Sequence, residues 1–176
     1  MKGKLRQIAQ LGHEILRRKA AAVTAIRSRE IRSLIDDMLE TLRDSNGVGI
    51  AAPQIYEPYR IVIVASKPSP RYPTAPEMAP LVMINPSIES VSGERVKDWE
   101  GCLSIPGIRA LIPRHRQIRV IYTDTHAIEQ EIEISDFIAR IFQHEFDHLE
   151  GVVFLDRVEN TRDIVSEKEY FKRIAG

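Results

Sequence analysis

Cysteine is almost missing from this 176-residue chain: Cys102 stands alone, so no disulfide can form within it, and a reducing compartment suits it. Charge of one sign is not in excess either. Lys and Arg number 25 against 25 Asp and Glu. A neutral chain has no general electrostatic attraction for nucleic acid or an anionic membrane. No apolar run is long enough to cross a bilayer. Neither glycine-rich phosphate-loop pattern, G-x-G-x-x-G or G-x-x-x-x-G-K-[ST], is present, and no internal repeat is visible. What remains is a chain that is 43% hydrophobic, enough for one domain with its own core, spanning residues 1–176.

The start is basic. Lys2, Lys4, Arg6, Arg17, Arg18, Lys19 and Arg27 face only Glu14 before Arg29. An arginine-rich, acid-poor start is a feature of organelle transit peptides, but serine is scarce before Ser28, which weighs against targeting. Residues 8–23 read as an extended stretch with a helical turn near Glu14 to Lys19. Ser28 can cap a helix whose Ile31, Leu34, Ile35, Met38, Leu39 and Leu42 form an apolar stripe. That helix is expected to end at Asn46-Gly47.

Gly47 to Gln54 (GVGIAAPQ) packs two Gly and two Ala of its middle into a short stretch, so the backbone passes close to something. A tight turn under a helix and a loop against which a substrate backbone lies both fit. Arg60–Ala65 reads as a strand, and the proline-rich Ser66–Pro80 as a loop. Leu81–Asn85 and Ser87–Val96 read as two further strands. Gln117–Thr123 and Ile128–Ile134 alternate around Thr125-His126, as an antiparallel hairpin with one wet face does. Thr161–Ala175, carrying Ile164, Val165, Phe171 and Ile174, is predicted to be a helix whose basic residues are offset by acidic ones. Strands without regular βαβ alternation indicate an α+β fold.

The chemistry concentrates in Gln143-His144-Glu145-Phe146-Asp147-His148. Phe137, Ile138, Ile141, Phe142 and Leu149 recur at helical spacing around it, Ser135 and Asp136 suit the start of a helix, and Gly151 suits its stop. On a helix His144 and His148 share one face and can clasp one divalent metal, with Glu145 placed to reach a water on that metal. An amphipathic helix with two surface histidines would satisfy the same pattern. Two histidines need at least one more protein ligand. No His follows His148, and Glu150, Glu159, Glu167 and Glu169 have no supporting local motif. Cys102 has one: Gly101 permits close approach and Pro106 stiffens the exit.

Taken together, GVGIAAPQ at Gly47–Gln54, EGCLS at Glu100–Ser104 and QHEFDHLEG at Gln143–Gly151 resemble, in order, the three signature motifs of the peptide deformylases. RALIPR at Arg109–Arg114 and VVFLDR at Val152–Arg157 are similar as well, and the resemblance runs from about Leu11 to Arg157. It implies an α+β fold of antiparallel sheets wrapped around a central metal-binding H-E-x-x-H helix. It implies removal of the formyl group from N-formylmethionyl peptides emerging from the ribosome, by a cytoplasmic monomer of bacterial type. The metal implied is Fe²⁺, with Zn²⁺ or Ni²⁺ able to substitute, held by Cys102, His144 and His148. Water on the ion would attack the formyl carbon, with Glu145 moving the proton to the leaving amine. The Gln54 amide and the Leu103 backbone N–H would hold the oxyanion. The Gly49 carbonyl would accept the scissile N–H, and Ile50, Ile141 and His144 would line the methionine slot. Glu100 and Arg114 are expected to pair behind the Cys102 loop, and Arg109 to contact the carbonyl end of the substrate. The C-terminal segment is the place for a transient ribosome contact, and a short peptide is expected not to depend on Lys168–Gly176. Two departures stand out: Gly12-His13 replaces an Asp-Pro frequent in the family, and the proline-rich loop is longer. A zincin-type endopeptidase and a metal-stabilised binding module are the rival classes.

Overall fold

The computed structural model describes residues 3–69 and 72–175. Lys2, Pro70 and Gly176, and the side chain of Ile174, lie outside the described residues.

A single turn of 3₁₀ helix at Glu14–Arg17 comes first, capped by the His13 imidazole, which accepts from Ile15 N. Helix α1 (Arg29–Asp44) follows, with the Ser28 hydroxyl accepting from Ile31 N as its cap. It buries Ile31, Leu34, Ile35, Met38 and Leu42 along one stripe. Asn46, at φ 50°, makes the left-handed exit, and Gly47 does not.

Five strands form one antiparallel sheet in the order β1 (Gly49–Ala51), β2 (Ile61–Ser66), β3 (Met78–Val91), β6 (Gln117–Thr123) and β7 (Glu129–Ser135). Strands β4 (Arg95–Cys102), β5 (Ile105–His115) and β8 (Ile164–Ser166) form a second antiparallel sheet. The run Ile61 to Val64 shows no polar alternation because both faces of β2 are covered. Ile61 and Ile63 pack in a cluster under α1, whereas Val62 and Val64 pack beneath helix α2 (Asp136–Leu149). Helix α2 starts directly off β7 and contacts β1, β2 and β5.

Several expected boundaries move. The two strands predicted around Asn85-Pro86 are one, β3, kinked by a register shift between Ile84 and Ser87. Asn85 has φ 51°, and its side-chain amide is used to bridge Val23 N and Val23 O. Proline, which has no N–H to give to the ladder, is tolerated at such a bulge. Strand β3 ends at Val91, before a turn at Ser92–Glu94, and it begins at Met78 inside the expected loop. The predicted helix 161–175 divides into a 3₁₀ turn at Thr161–Asp163, β8, and helix α3 (Glu167–Ala175). Ile164 and Val165 are β-branched, and they pair with Ala110 and Arg109 on the free edge of β5. Ser135 sits at the N-cap of α2 without a capping side-chain bond, and Asp136 takes φ 52°. The Asp136 carboxylate accepts instead from Arg116 Nε at 2.9 Å. At the far end of α2, Gly151 (φ 72°) closes the helix with Val152 N donating to Asp147 O.

Candidate metal centre and substrate cavity

Three elements meet at one point. Cys102 ends β4, at a tight turn into β5 where Cys102 pairs with Ile105. His144 and His148 stand one turn apart on α2, their ring centroids 5.3 Å apart. One ligand atom from each of Cys102, His144 and His148 lies within 4.8 Å of the others. Cys102 Sγ is 3.3 Å from His148 Nε2. Glu100 Oε2 accepts from His144 Nδ1 at 2.9 Å, which leaves Nε2 of that ring with a free lone pair.

The electrostatics suit a cation. Burial pushes the Cys102 thiol up, but His148 and His144 outweigh it and hold it well below its ordinary value. Burial raises the Glu145 carboxyl up to about 7, against the pull of His144 and His148. Glu145 Oε2 and His148 Nδ1 are buried without a protein partner among the described residues. A soft thiolate and two imidazoles, with an unpartnered carboxylate oxygen beside them, fit a divalent transition metal with one open position.

Around the ligands runs a buried charge network. Arg114 grips Glu100 with two bonds, at 2.9 and 3.0 Å, and reaches Asp147 Oδ2 at 2.6 Å. Arg140 adds a bond to Glu100 Oε1 at 2.9 Å, and Arg157 binds Asp147 Oδ1 at 2.7 Å. Burial opposes ionisation of Glu100, but Arg114 and the His144 bond outweigh it and hold the carboxyl far below the usual range. The expected Glu100–Arg114 pair is therefore present. Arg140, Asp147 and Arg157 were not foreseen. Arg140 carried a signal: it precedes His144 by four residues and His148 by eight, so the three share one helical stripe, and all three are buried.

Gln54 is buried, its Oε1 accepting from Ala51 N at 2.8 Å and its Nε2 lying 3.5 Å from Cys102 Sγ and 3.4 Å from Ser104 Oγ. Gly49 lies against Glu145: a Cβ there would be 2.8 Å from Glu145 Cγ and from Ile141 Cγ2. Of the two readings left open for GVGIAAPQ, the close approach is thus to the site itself. Strand β1 is the edge of its sheet. Val48 O is bonded to Ala65 N, so by alternation the Gly49 N–H and C=O point away from β2, toward the free edge. Gly49, Leu103, Ile141, His144 and Glu145 all line one cavity. Ile50 does not: strand alternation turns its fully buried side chain into the cluster under α1, a correction to its expected place in the methionine slot. Arg109 lines the cavity with three of its five N–H groups engaged, Nε and Nη2 on Glu167 Oε1 at 3.2 and 2.7 Å, and Nη1 on the Tyr72 hydroxyl at 3.1 Å.

A buried helix carrying H-E-x-x-H, with a thiolate completing the donor set beside a lined cavity, defines the class: a metal-dependent hydrolase. The particular family follows from comparison with known proteins. Residues 5–163 match the polypeptide deformylase family, and the chain belongs to it. It is 55% identical to peptide deformylase 2 of a Nostoc species over 97% of this chain and 95% of the relative. It is 44% identical to peptide deformylase 1 of Xanthomonas campestris, over 89% of this chain and 91% of that one. A crystal structure of class I type b peptide deformylase from Acinetobacter baumannii with Met-Ala-Ser bound superposes with a TM-score of 0.86 at 44% identity, covering 90% of this chain and 100% of that one.

Proposed function

We propose that this chain removes the formyl group from N-formylmethionyl nascent peptides at the centre formed by Cys102, His144 and His148, acting as a cytoplasmic monomer that meets its substrates at the ribosome. The family it belongs to performs that reaction with a metal, and the donor set here suits Fe²⁺, with Zn²⁺ or Ni²⁺ as substitutes. The bound ion supplies Lewis acidity and brings the ionisation of a water toward neutral pH. The observation that carries the reading is Glu145: a buried carboxylate beside the Cys102, His144 and His148 cluster, with one oxygen that no protein group among the described residues satisfies.

Glu145 takes the proton of the attacking water and returns it to the departing amine. The Gln54 Nε2 amide, fixed from behind by the Ala51 N–H on its Oε1, donates to the developing oxyanion together with the Leu103 backbone N–H. The peptide lies along the free edge of β1, where the Gly49 carbonyl accepts its N–H. Ile141 and the carbon face of His144 take the methionine side chain. Glu100 fixes the His144 ring from the far side, and Arg114 and Arg140 keep Glu100 ionised. Helix α2 in this role is the metal-binding centre of the fold.

The metal-loaded enzyme is expected to hydrolyse formyl-Met-Ala-Ser and to leave acetyl-Met-Ala-Ser and internal peptide bonds intact. Glu145→Gln is expected to retain the metal and lose roughly 10²-fold or more in kcat. Cleavage of internal bonds would favour the endopeptidase class, and a fully active Glu145→Gln enzyme would remove Glu145 from the reaction.

A further inference from the structure

The two oxyanion donors come from elements far apart in the chain, and those elements are tied together from behind. Gln54 sits in the 3₁₀ turn Ala52–Ile55, and Leu103 in the two-residue turn between β4 and β5. Three consecutive N-terminal residues reach both. Ala9 N donates to Gln54 O at 2.8 Å, and Leu11 N donates to Ser104 O at 2.8 Å. Between them, the Gln10 side-chain amide donates to Leu103 O at 3.3 Å and to Ile8 O at 3.3 Å. Both carbonyls of the Leu103-Ser104 turn are thus held by this strap, and so is the carbonyl of Gln54.

The strap is itself anchored. Ala9 is fully buried in the cluster that contains Leu16, Ile105 and Phe154, with Cys102 packed against it. After Leu11 the chain reverses in a turn closed by His13 N on Gln10 O at 3.0 Å, with Gly12 at φ 104°. That is the pattern of a type II turn, whose third residue needs positive φ and whose second suits proline. The His13 ring then meets the Tyr56 ring edge-on, with 4.9 Å between centroids, just past Gln54. On the cavity side Gln54 Nε2 and Ser104 Oγ lie 3.4 Å apart, so a shift of either wall changes the gap between the donors. Ala9, Gln10 and Leu11 do not line the cavity.

We propose that Ala9, Gln10 and Leu11 are positioning residues that set the spacing between the oxyanion donors, the Gln54 amide and the Leu103 N–H. The inference rests on the oxyanion roles given to those two groups above. The donors must stand at hydrogen-bond distance from an oxygen that gains its charge only in the transition state, so a small displacement costs rate and spares ground-state binding. Outright removal of one such donor costs on the order of 10²- to 10³-fold in kcat. Loss of a strap bond lets the donors drift without removing either, and is expected to cost roughly tenfold. Proline at position 11 deletes the N–H that Ser104 O accepts and suits the second place of the turn. The Leu11 side chain is 46% exposed, so the change gives up little packing.

The test compares Leu11→Pro, Gln54→Ala and the double variant as metal-loaded enzymes on formyl-Met-Ala-Ser, with metal content, Tm and Kd for Met-Ala-Ser measured beside kcat and KM. Leu11→Pro is expected to lower kcat roughly tenfold while KM, metal content and Met-Ala-Ser affinity stay near wild type. Gln10→Ala, at an exposed side chain, is expected to lower kcat several-fold in the same pattern. On the Gln54→Ala background the loss from Leu11→Pro is expected to shrink to about threefold or less, because only one donor is left to place. A wild-type kcat in Leu11→Pro would overturn the proposal. So would a tenfold loss that persists undiminished on the Gln54→Ala background, or one that arrives with lost metal or lost Met-Ala-Ser affinity, as a general structural defect does. Should Leu11→Pro fail to fold, a wild-type kcat in Gln10→Ala would overturn it equally. A Gln54→Ala enzyme of wild-type kcat would strike the oxyanion reading and the proposal with it, whereas the other failures leave that reading standing.

Discussion

Gly49 leaves no room for a side chain beside Glu145. A Cβ at this position would fall 2.8 Å from Glu145 Cγ and closer still to Oε1, so any larger residue displaces the carboxylate. Displacement of a proton-transfer group by about 1 Å costs on the order of 10²-fold in rate. Gly49→Ala is therefore expected to fold and to hold metal, with kcat reduced by roughly that factor. Circular dichroism, metal content and steady-state kinetics on one preparation check it. An alanine variant of wild-type kcat would mean that Glu145 relaxes freely and that its position is not restrictive.

Glu100 holds three cationic or hydrogen-bonding partners in a buried place: Arg114, Arg140 and His144. Glu100→Ala removes the acceptor that fixes His144, leaves Arg114 with Asp147 alone and leaves Arg140 with backbone carbonyls in place of a carboxylate. Metal affinity is expected to fall roughly 10- to 100-fold, and stability by about 3–5 kcal/mol. Competition with a chromophoric chelator reads the first effect and urea unfolding the second. Glu100→Gln, which keeps the shape, is expected to recover part of the stability and little of the affinity.

Asp156 ties the residues after α2 to the N-terminal segment, accepting from Val153 N at 2.9 Å and from Arg17. Burial opposes its ionisation, but the Arg17 and Val153 bonds outweigh this and hold its pKa below the ordinary 3.8. A carboxylate lowered on folding contributes stability above its unfolded pKa, and that contribution is lost as pH falls through the folded value. The Tm difference between wild type and Asp156→Asn is expected to be level between pH 7 and 5 and to shrink below pH 4. A difference that grows on acidification would contradict the sign.

Helix α3 packs into the cavity wall, so its deletion is expected to cost more than its balanced charge indicated. Tyr170 is 6% exposed, its ring 5.4 Å from Trp99, and Glu167 binds Arg109 in the cavity wall. Deletion of Lys168–Gly176 removes the Tyr170 ring from Trp99 and Arg109. It is expected to raise KM for a short formyl peptide several-fold with a smaller change in kcat. Unchanged kinetics would show that the wall is held by β8 and Glu167 alone.

The local elements were legible because their signals are local. The α1 stripe and its Ser28 cap, the β6–β7 hairpin and the Gly151 stop each depend on side chains a few residues apart. The meeting of Cys102, His144 and His148 was legible for a related reason. Two histidines four apart on a helix share a face wherever that helix packs, and the motif order carried Cys102 with them. Asn85-Pro86 read as a break between strands because proline interrupts a ladder, yet a bulge absorbs it when the strand is held on both sides. Residues Ile164 and Val165 fit a helical stripe or a strand, and only the vacant edge of β5 decided for the strand. The side that Ile50 faces, the sandwiching of Arg109 by Tyr170 and the joining of Arg114 to Asp147, 33 positions on, depend on residues distant along the chain meeting in space. Such meetings are set by how the two sheets and α2 pack, and spacing along the chain does not encode them.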